Sequence, residues 1–165
     1  MPNHELAQLN IARMVAPLDS PVLEDFVGSL DRINELADAS PGFIWRLQTE
    51  DGNATAMRPF GEEYLVNLSV WKDIESLYRF VYRSAHIEMM KRRKEWFERM
   101  REAYMVMWWV PEGRRPTVQE ARAKLEMLQR EGPTQNAFTF KNPFPAPNET
   151  GGFALGPFVD TCTVT

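Results

Sequence analysis

The chain has 165 residues, 44% of them aliphatic, aromatic or sulfur-bearing, which suits one domain around one packed core. Its 19 basic and 23 acidic side chains leave a formal charge of −4, which excludes a general pull toward nucleic acid or acidic membrane. A single cysteine, Cys162, excludes an internal disulfide and a cysteine-built zinc site, and no apolar run nears the roughly 20 residues that span a bilayer. Met1-Pro-Asn-His-Glu5 lacks the basic-then-apolar layout of a signal peptide, so a cytoplasmic location is expected. The sequons at Asn53, Asn67 and Asn148 would carry no meaning there.

Alternation predicts strand 1 over Leu6 to Val15, with Leu9 and Ile11 on one side and Gln8, Asn10, Ala12 and Met14 on the other. Asp19-Ser-Pro21 then opens a helix. Ser20 suits the cap, and Pro21 suits the first position because its missing N–H had no partner there. Val22, Phe26, Leu30, Ile33 and Ala37 recur at helical spacing and should face the core, and Pro41-Gly42 ends the unit. Phe43 to Gln48 reads as strand 2, with Phe43, Trp45 and Leu47 on one face. Asp51-Gly-Asn53 marks a turn in a long connection.

Tyr64 to Trp71 reads as strand 3, its two faces being Tyr64, Val66, Leu68, Val70 and Leu65, Asn67, Ser69, Trp71. Asp73 caps one long helix, expected from Ile74 to Arg101. On a 100° wheel, Tyr78, Val81, Tyr82, Ala85, Met89, Trp96 and Met100 centre its buried face. Arg79, His86, Met90, Arg93 and Phe97 form a border stripe that can meet a cavity mouth. Lys91-Arg-Arg-Lys94, interleaved with Glu88, Glu95 and Glu98, reads as a solvated face with i,i+4 pairs, not a nucleic-acid patch.

Strand 4, Tyr104 to Val110, is rich in Met and Trp. Thr117-Val-Gln-Glu120 fits a capping box opening a further helix, whose buried stripe is Ala121, Leu125 and Leu128; Gly132-Pro133 ends it. Phe138 to Phe140 suits a short strand, and Asn142 to Pro147 an extended, polyproline-like stretch. The expected division is a domain over 1–140 and a Pro/Gly/Phe-rich tail over 141–165.

The order is β-α-β-β-α-β plus a helix and a tail: an α+β, ferredoxin-like antiparallel sheet with helices on one face. The face turned from the helices should then carry Gln8, Asn10, Ala12, Met14, Leu65, Asn67, Ser69 and Trp71. Strand 4 adds either Met105, Met107 and Trp109, or Val106 and Trp108. That mixture is too apolar to be left in water, and a partner sheet would cover it and enclose a cavity.

Several phrases resemble a known family: Phe80-Val-Tyr-Arg-Ser-Ala-His86, Arg92-Arg-Lys-Glu-Trp-Phe97, Trp108-Trp-Val-Pro111, Pro116-Thr-Val-Gln-Glu-Ala121, Gly132-Pro-Thr134 and Ala137-Phe-Thr-Phe140. With these the chain resembles the dimeric α/β-barrel superfamily of the antibiotic-biosynthesis monooxygenases. Within it, the chain looks most like an uncharacterised bacterial family distantly similar to the spheroidene monooxygenases. The resemblance implies a homodimer. It leaves three activities open: cofactor-free oxygenase, haem protein, or no reaction.

His86 has an unperturbed pKa near neutrality and suits a general base, a proton relay or a haem ligand. Flanking Arg79 and Arg93 would lower that pKa and hold an anionic substrate. The alternative is a histidine bonded to a strand or packed at a dimer seam. In a cofactor-free oxygenase, Asn67 and Asn10 would orient a phenolate-like aromatic or polyketide-like substrate, with Trp45, Trp71, Met107 and Trp109 as walls. The catalytic candidates are thus His86, Arg93 and Asn67. With two histidines and neither H-E-x-x-H nor C-x-x-C, no protein-ligated metal is expected. No Gly-rich phosphate loop follows a strand, and the Gly151-Gly152 pair sits in the tail. The remaining reading is a non-catalytic interaction module whose tail clamps a partner subunit.

Overall fold

The computed structural model describes residues 3–147. Asn148, Gly151-Gly152 and Cys162 lie outside the described residues. The elements are β1 (His4–Arg13), α1 (Glu24–Asp38), β2 (Phe43–Arg46), β3 (Tyr64–Trp71), α2 (Ile74–Arg83), α3 (His86–Lys91), α4 (Arg93–Trp96), β4 (Met105–Pro111) and α5 (Val118–Glu131). The strands form one antiparallel sheet in the order β2-β3-β1-β4.

Local chemistry sets most boundaries. Ser20 accepts from the Val22 N–H and opens a 3-10 turn, Pro21–Leu23, before α1. That turn rotates Leu23 inward and leaves Val22 exposed, against the helical spacing read from the sequence. Asp73 Oδ1 caps α2, accepting from the Ser76 N–H at 2.8 Å and its hydroxyl at 2.7 Å. Thr117 Oγ1 accepts from the Glu120 N–H at 3.1 Å, but only this half of the capping box forms among the described contacts. Glu120 instead pairs with Arg114 at 3.1 Å. Gly132, at φ 76°, returns its N–H to the Leu128 carbonyl and ends α5 in a left-handed conformation that glycine adopts without cost.

The single helix expected from Ile74 to Arg101 is three. Ser84 is extended, and its hydroxyl serves both sides of the break. It donates to the Phe80 carbonyl behind it and accepts the His86 N–H ahead at 3.2 Å. A serine bonding locally to backbone in this way competes with the helical ladder. Arg92 then makes a second turn, and α4 ends at Phe97, which bridges to Met14.

The register sorts the sheet into two faces. Leu6, Gln8, Asn10 and Ala12 lie opposite Trp71, Ser69, Asn67 and Leu65, and Met105, Met107 and Trp109 continue that face on β4. It is the polar face expected to point away from the helices, and that expectation is corrected. α1, α2 and α3 lie over it, and Trp71 stacks on Phe80 of α2 at 5.2 Å. The opposite face, with Ala7, Leu9, Leu68, Val70, Val106 and Trp108, is fully buried within the chain.

α5 supplies that second cover. It packs on β4 and β1, and Ala121, Leu125 and Leu128 join the same core. Burial of the two leucines contributes about 1.5–3 kcal/mol each. Arg122 of α5 stacks over Phe60 at 5.0 Å and draws the β2–β3 connection in beside it. The sheet is therefore a middle layer, and neither face is bare. Alternation fixes which residues share a face, but not which face the helices choose.

Candidate functional site

Between α1–α4 and the polar sheet face lies a cavity of about 210 Å³. α1 contributes Phe26, Leu30, Ile33 and Ala37. The first three stay partly accessible because they line open space and do not seal a core. The floor is the β1–β3 pairing. Gln8 Nε2 donates to Asn67 Oδ1 at 2.6 Å and to Ser69 Oγ at 2.7 Å, and Trp71 Nε1 donates to Ser69 Oγ at 2.9 Å. Gln8, Ser69 and Trp71 are buried, so this chain satisfies polar groups that would otherwise be costly.

Asn67 ends the chain differently. It sits mid-way along a central strand yet is exposed, because the cavity opens above it. Its oxygen is used by Gln8, which leaves its Nδ2 as a donor. Asn10 is its register partner, and among the described residues the Asn10 side chain has no protein hydrogen bond. Two amides thus present hydrogen-bonding groups side by side in a largely apolar chamber, which Asn34, Asn53 and Thr55 also line.

His86 enters the cavity at the start of α3. Its ring lies against Phe80 at 4.9 Å, and Nδ1 meets the Val81 carbonyl at 3.3 Å. A carbonyl only accepts, so Nδ1 carries the proton and Nε2 holds the lone pair. Burial pushes the imidazole pKa below its ordinary value, partly opposed by the Val81 bond. At neutral pH the ring is an uncharged base. The cause is desolvation, not flanking cations: Arg79 is exposed and pairs with Glu75 one turn back, away from the site.

Arg93 opens α4 and turns inward. Its guanidinium lies over Tyr104 at 4.6 Å and Phe97 at 5.4 Å, and among the described residues it has no carboxylate partner. Its neighbours behave as the solvated face expected of the basic run. Lys91 pairs with Glu88, and Arg92 with Glu95 and Asp25, which raises the Arg92 pKa and lowers that of Glu95. The other cavity arginine, Arg46, is neutralised by a two-pronged pair with Asp38 at 2.8 and 3.2 Å, and it also donates to the Gly52 carbonyl. Sequence reasoning missed Arg46; no local signal separates it from a surface arginine.

His86, Arg93, Asn67, Asn10 and Trp71 thus share one cavity. Three other wall candidates do not reach it. An irregularity between Phe43 and Trp45 shifts the β2 register, so Trp45 falls opposite Val70 on the α5 side. Met107 is fully buried and does not line the cavity. Trp109 Nε1 donates to the Phe144 carbonyl at 2.9 Å, and its ring packs on Phe138. The segment after Phe140 is thereby held against β4 through Phe144, and Ala146 is buried.

Haem fits poorly. The cavity's volume of about 210 Å³ is too little for a macrocycle. No group of three or more His, Cys, Asp or Glu that could hold a metal occurs among the described residues.

The chain is thus a three-layer α+β domain with a small, largely apolar cavity onto which His86, Arg93 and the Asn10–Asn67 amides converge. The chain belongs to the family described as a domain of unknown function (DUF3291), whose model matches residues 5–152. No curated protein matches it. A solved structure similar to it is that of SnoaB, a cofactor-independent oxygenase from Streptomyces nogalater. The two are 15% identical with a TM-score of 0.42, over 70% of this chain and 98% of that one. No helix among the described residues is long and apolar enough to cross a membrane.

Proposed function

We propose that this protein binds a compact aromatic small molecule in anionic form, and that cofactor-free oxygenation of such a ligand is the reaction its cavity fits. The observation that carries the reading is the convergence on one apolar chamber of the His86 lone pair, the Arg93 guanidinium and the Asn10–Asn67 amides. His86 Nε2 takes a proton from an enolisable methylene group flanked by aromatic rings. Asn67 and Asn10 stabilise the resulting enolate, which is where charge develops. The enolate reduces dioxygen, a carbon–oxygen bond forms, and the resulting hydroperoxide loses water. One methylene and one dioxygen thus give one ketone and one water. The substrate supplies all the electrons, and no other reductant is required.

The test uses anthrone as probe, with oxygen uptake and anthraquinone formation as readouts. Uptake should exceed the spontaneous rate, and His86→Ala should lower it by roughly the 100-fold or more typical of a lost general base. Uptake no faster than buffer would remove the oxygenase half of the proposal and leave a binding protein.

The strand order supports a ferredoxin-like unit carrying α5 on its second face. Because α5 occupies the surface through which two such sheets would close a barrel, the proposed site lies within one chain. A homodimer would then form at sheet edges or over the helices, and sedimentation at micromolar concentration reads that state directly.

A further inference from the structure

We infer that the ligand is a two-ended molecule, a hydroxyaryl carboxylic acid whose carboxylate is held by Arg93 and whose hydroxyl lies toward His86. The inference rests on the binding reading above and names its substrate class.

The cavity has a direction. Trp71 and Phe80 mark the end where His86 stands, since His86 packs on Phe80 and Phe80 on Trp71. Arg93 marks the other end. Its rings, Phe97 and Tyr104, are tied to the far part of β1 by the Met14–Phe97 bridge and the Ile11 N–H bond to the Tyr104 carbonyl. Asn10 and Asn67 sit between, four residues along β1 from Leu6, which pairs with Trp71. His86 opens α3 and Arg93 opens α4, with the turn at Arg92 between them, so the two groups reach the chamber from separate elements.

The two ends differ in charge preference. Arg46 is already balanced by Asp38, whereas Arg93 is a fixed cation with only aromatic faces beside it. A guanidinium pairs with a carboxylate in a planar, two-pronged geometry, and its stacking on Tyr104 leaves the N–H edge available. At the other end a neutral histidine with its lone pair outward accepts a hydrogen bond from a hydroxyl and gives nothing to a second carboxylate. The protein therefore selects one acid group and one hydroxyl at opposite ends, across the paired amides.

The experiment measures tryptophan-fluorescence titrations with three rigid probes: 6-hydroxy-2-naphthoate, its methyl ester and 2-naphthol. The acid should bind at least ten-fold tighter than either neutral compound. Arg93→Gln should erase that advantage while leaving 2-naphthol affinity within two-fold, and Arg93→Lys should restore part of it. Equal binding of all three by the natural protein, or an acid preference that survives Arg93→Gln, would overturn the carboxylate assignment while the general binding reading stands. Absence of binding by all three would overturn both.

Discussion

Ser69→Ala tests whether the buried hydrogen-bond chain under the cavity is structural. Ser69 Oγ accepts from Gln8 at 2.7 Å and Trp71 at 2.9 Å, and it is buried. Gln8 keeps its 2.6 Å bond to Asn67, so the substitution costs it one ordinary bond, about 0.5–1.5 kcal/mol. The indole N–H of Trp71, which is 1% exposed, loses its only described partner, and orphaning a buried donor costs about 1–3 kcal/mol. Together the expected loss is about 1.5–4.5 kcal/mol. At urea slopes of about 1–3 kcal/mol/M for small domains, the midpoint should fall by on the order of 1–2 M. Equilibrium urea unfolding followed by fluorescence and circular dichroism measures this, provided the two probes coincide. Repeating Ser69→Ala in a Trp71→Phe background removes the orphan and should shrink the loss by about 1 kcal/mol or more. A loss below about 0.5 kcal/mol, the range of a surface substitution, would refute the reasoning. It would mean that cavity water takes over both bonds.

Burial lowers the folded-state pKa of His86, so between that value and about 6.5 the unfolded chain binds more protons. Stability should be constant in this respect above about pH 6.5 and fall as the pH drops below it. His86→Gln should flatten that acid limb in thermal melts taken from pH 5 to 8; an unchanged limb would count against a buried neutral ring. Gly42→Ala should cost more than about 2 kcal/mol in urea unfolding. At φ 86° a Cβ there would lie 2.2 Å from Ser76 Oγ and 2.5 Å from Ser76 Cβ. Gly52→Ala, at φ 82° with open space around it, carries only the backbone cost of about 1–2 kcal/mol, and equal losses at both sites would discount the Ser76 contact.

Much of this was legible in the residues. Strand 3 falls on Tyr64–Trp71 as its alternation requires, and Thr117 and Gly132 bound α5 as expected. The grouping of Gln8, Asn10, Asn67, Ser69 and Trp71 on one face also follows from period-2 alternation alone. What sequence did not carry were choices made by tertiary contacts. Alternation has no sign, so it groups the amides on one face without saying that the helices cover that face. Ser84 is tolerated inside helices and the apolar rhythm continues past it, so a continuous helical wheel sets Arg79 beside His86, where the break in fact leaves Arg79 exposed and paired with Glu75. The β2 irregularity, one residue long, moved Trp45 to the opposite face.

The break at Ser84 has a further consequence for how a molecule reaches the amides. α2 is anchored by the Asp73 cap and by buried Ile74, Leu77, Tyr78 and Phe80. α3 and α4, of six and four residues, are far below the length at which a helix holds itself together in water. The roof over Asn67 therefore joins the capped α2 to two short helices that depend on tertiary contacts: Met90 of α3 and Trp96 of α4 are buried, and the Val15 N–H donates to the Trp96 carbonyl at 2.9 Å. Local opening of such short elements costs less than global unfolding, so the energy of admitting a ligand is separate from the energy of keeping the domain folded.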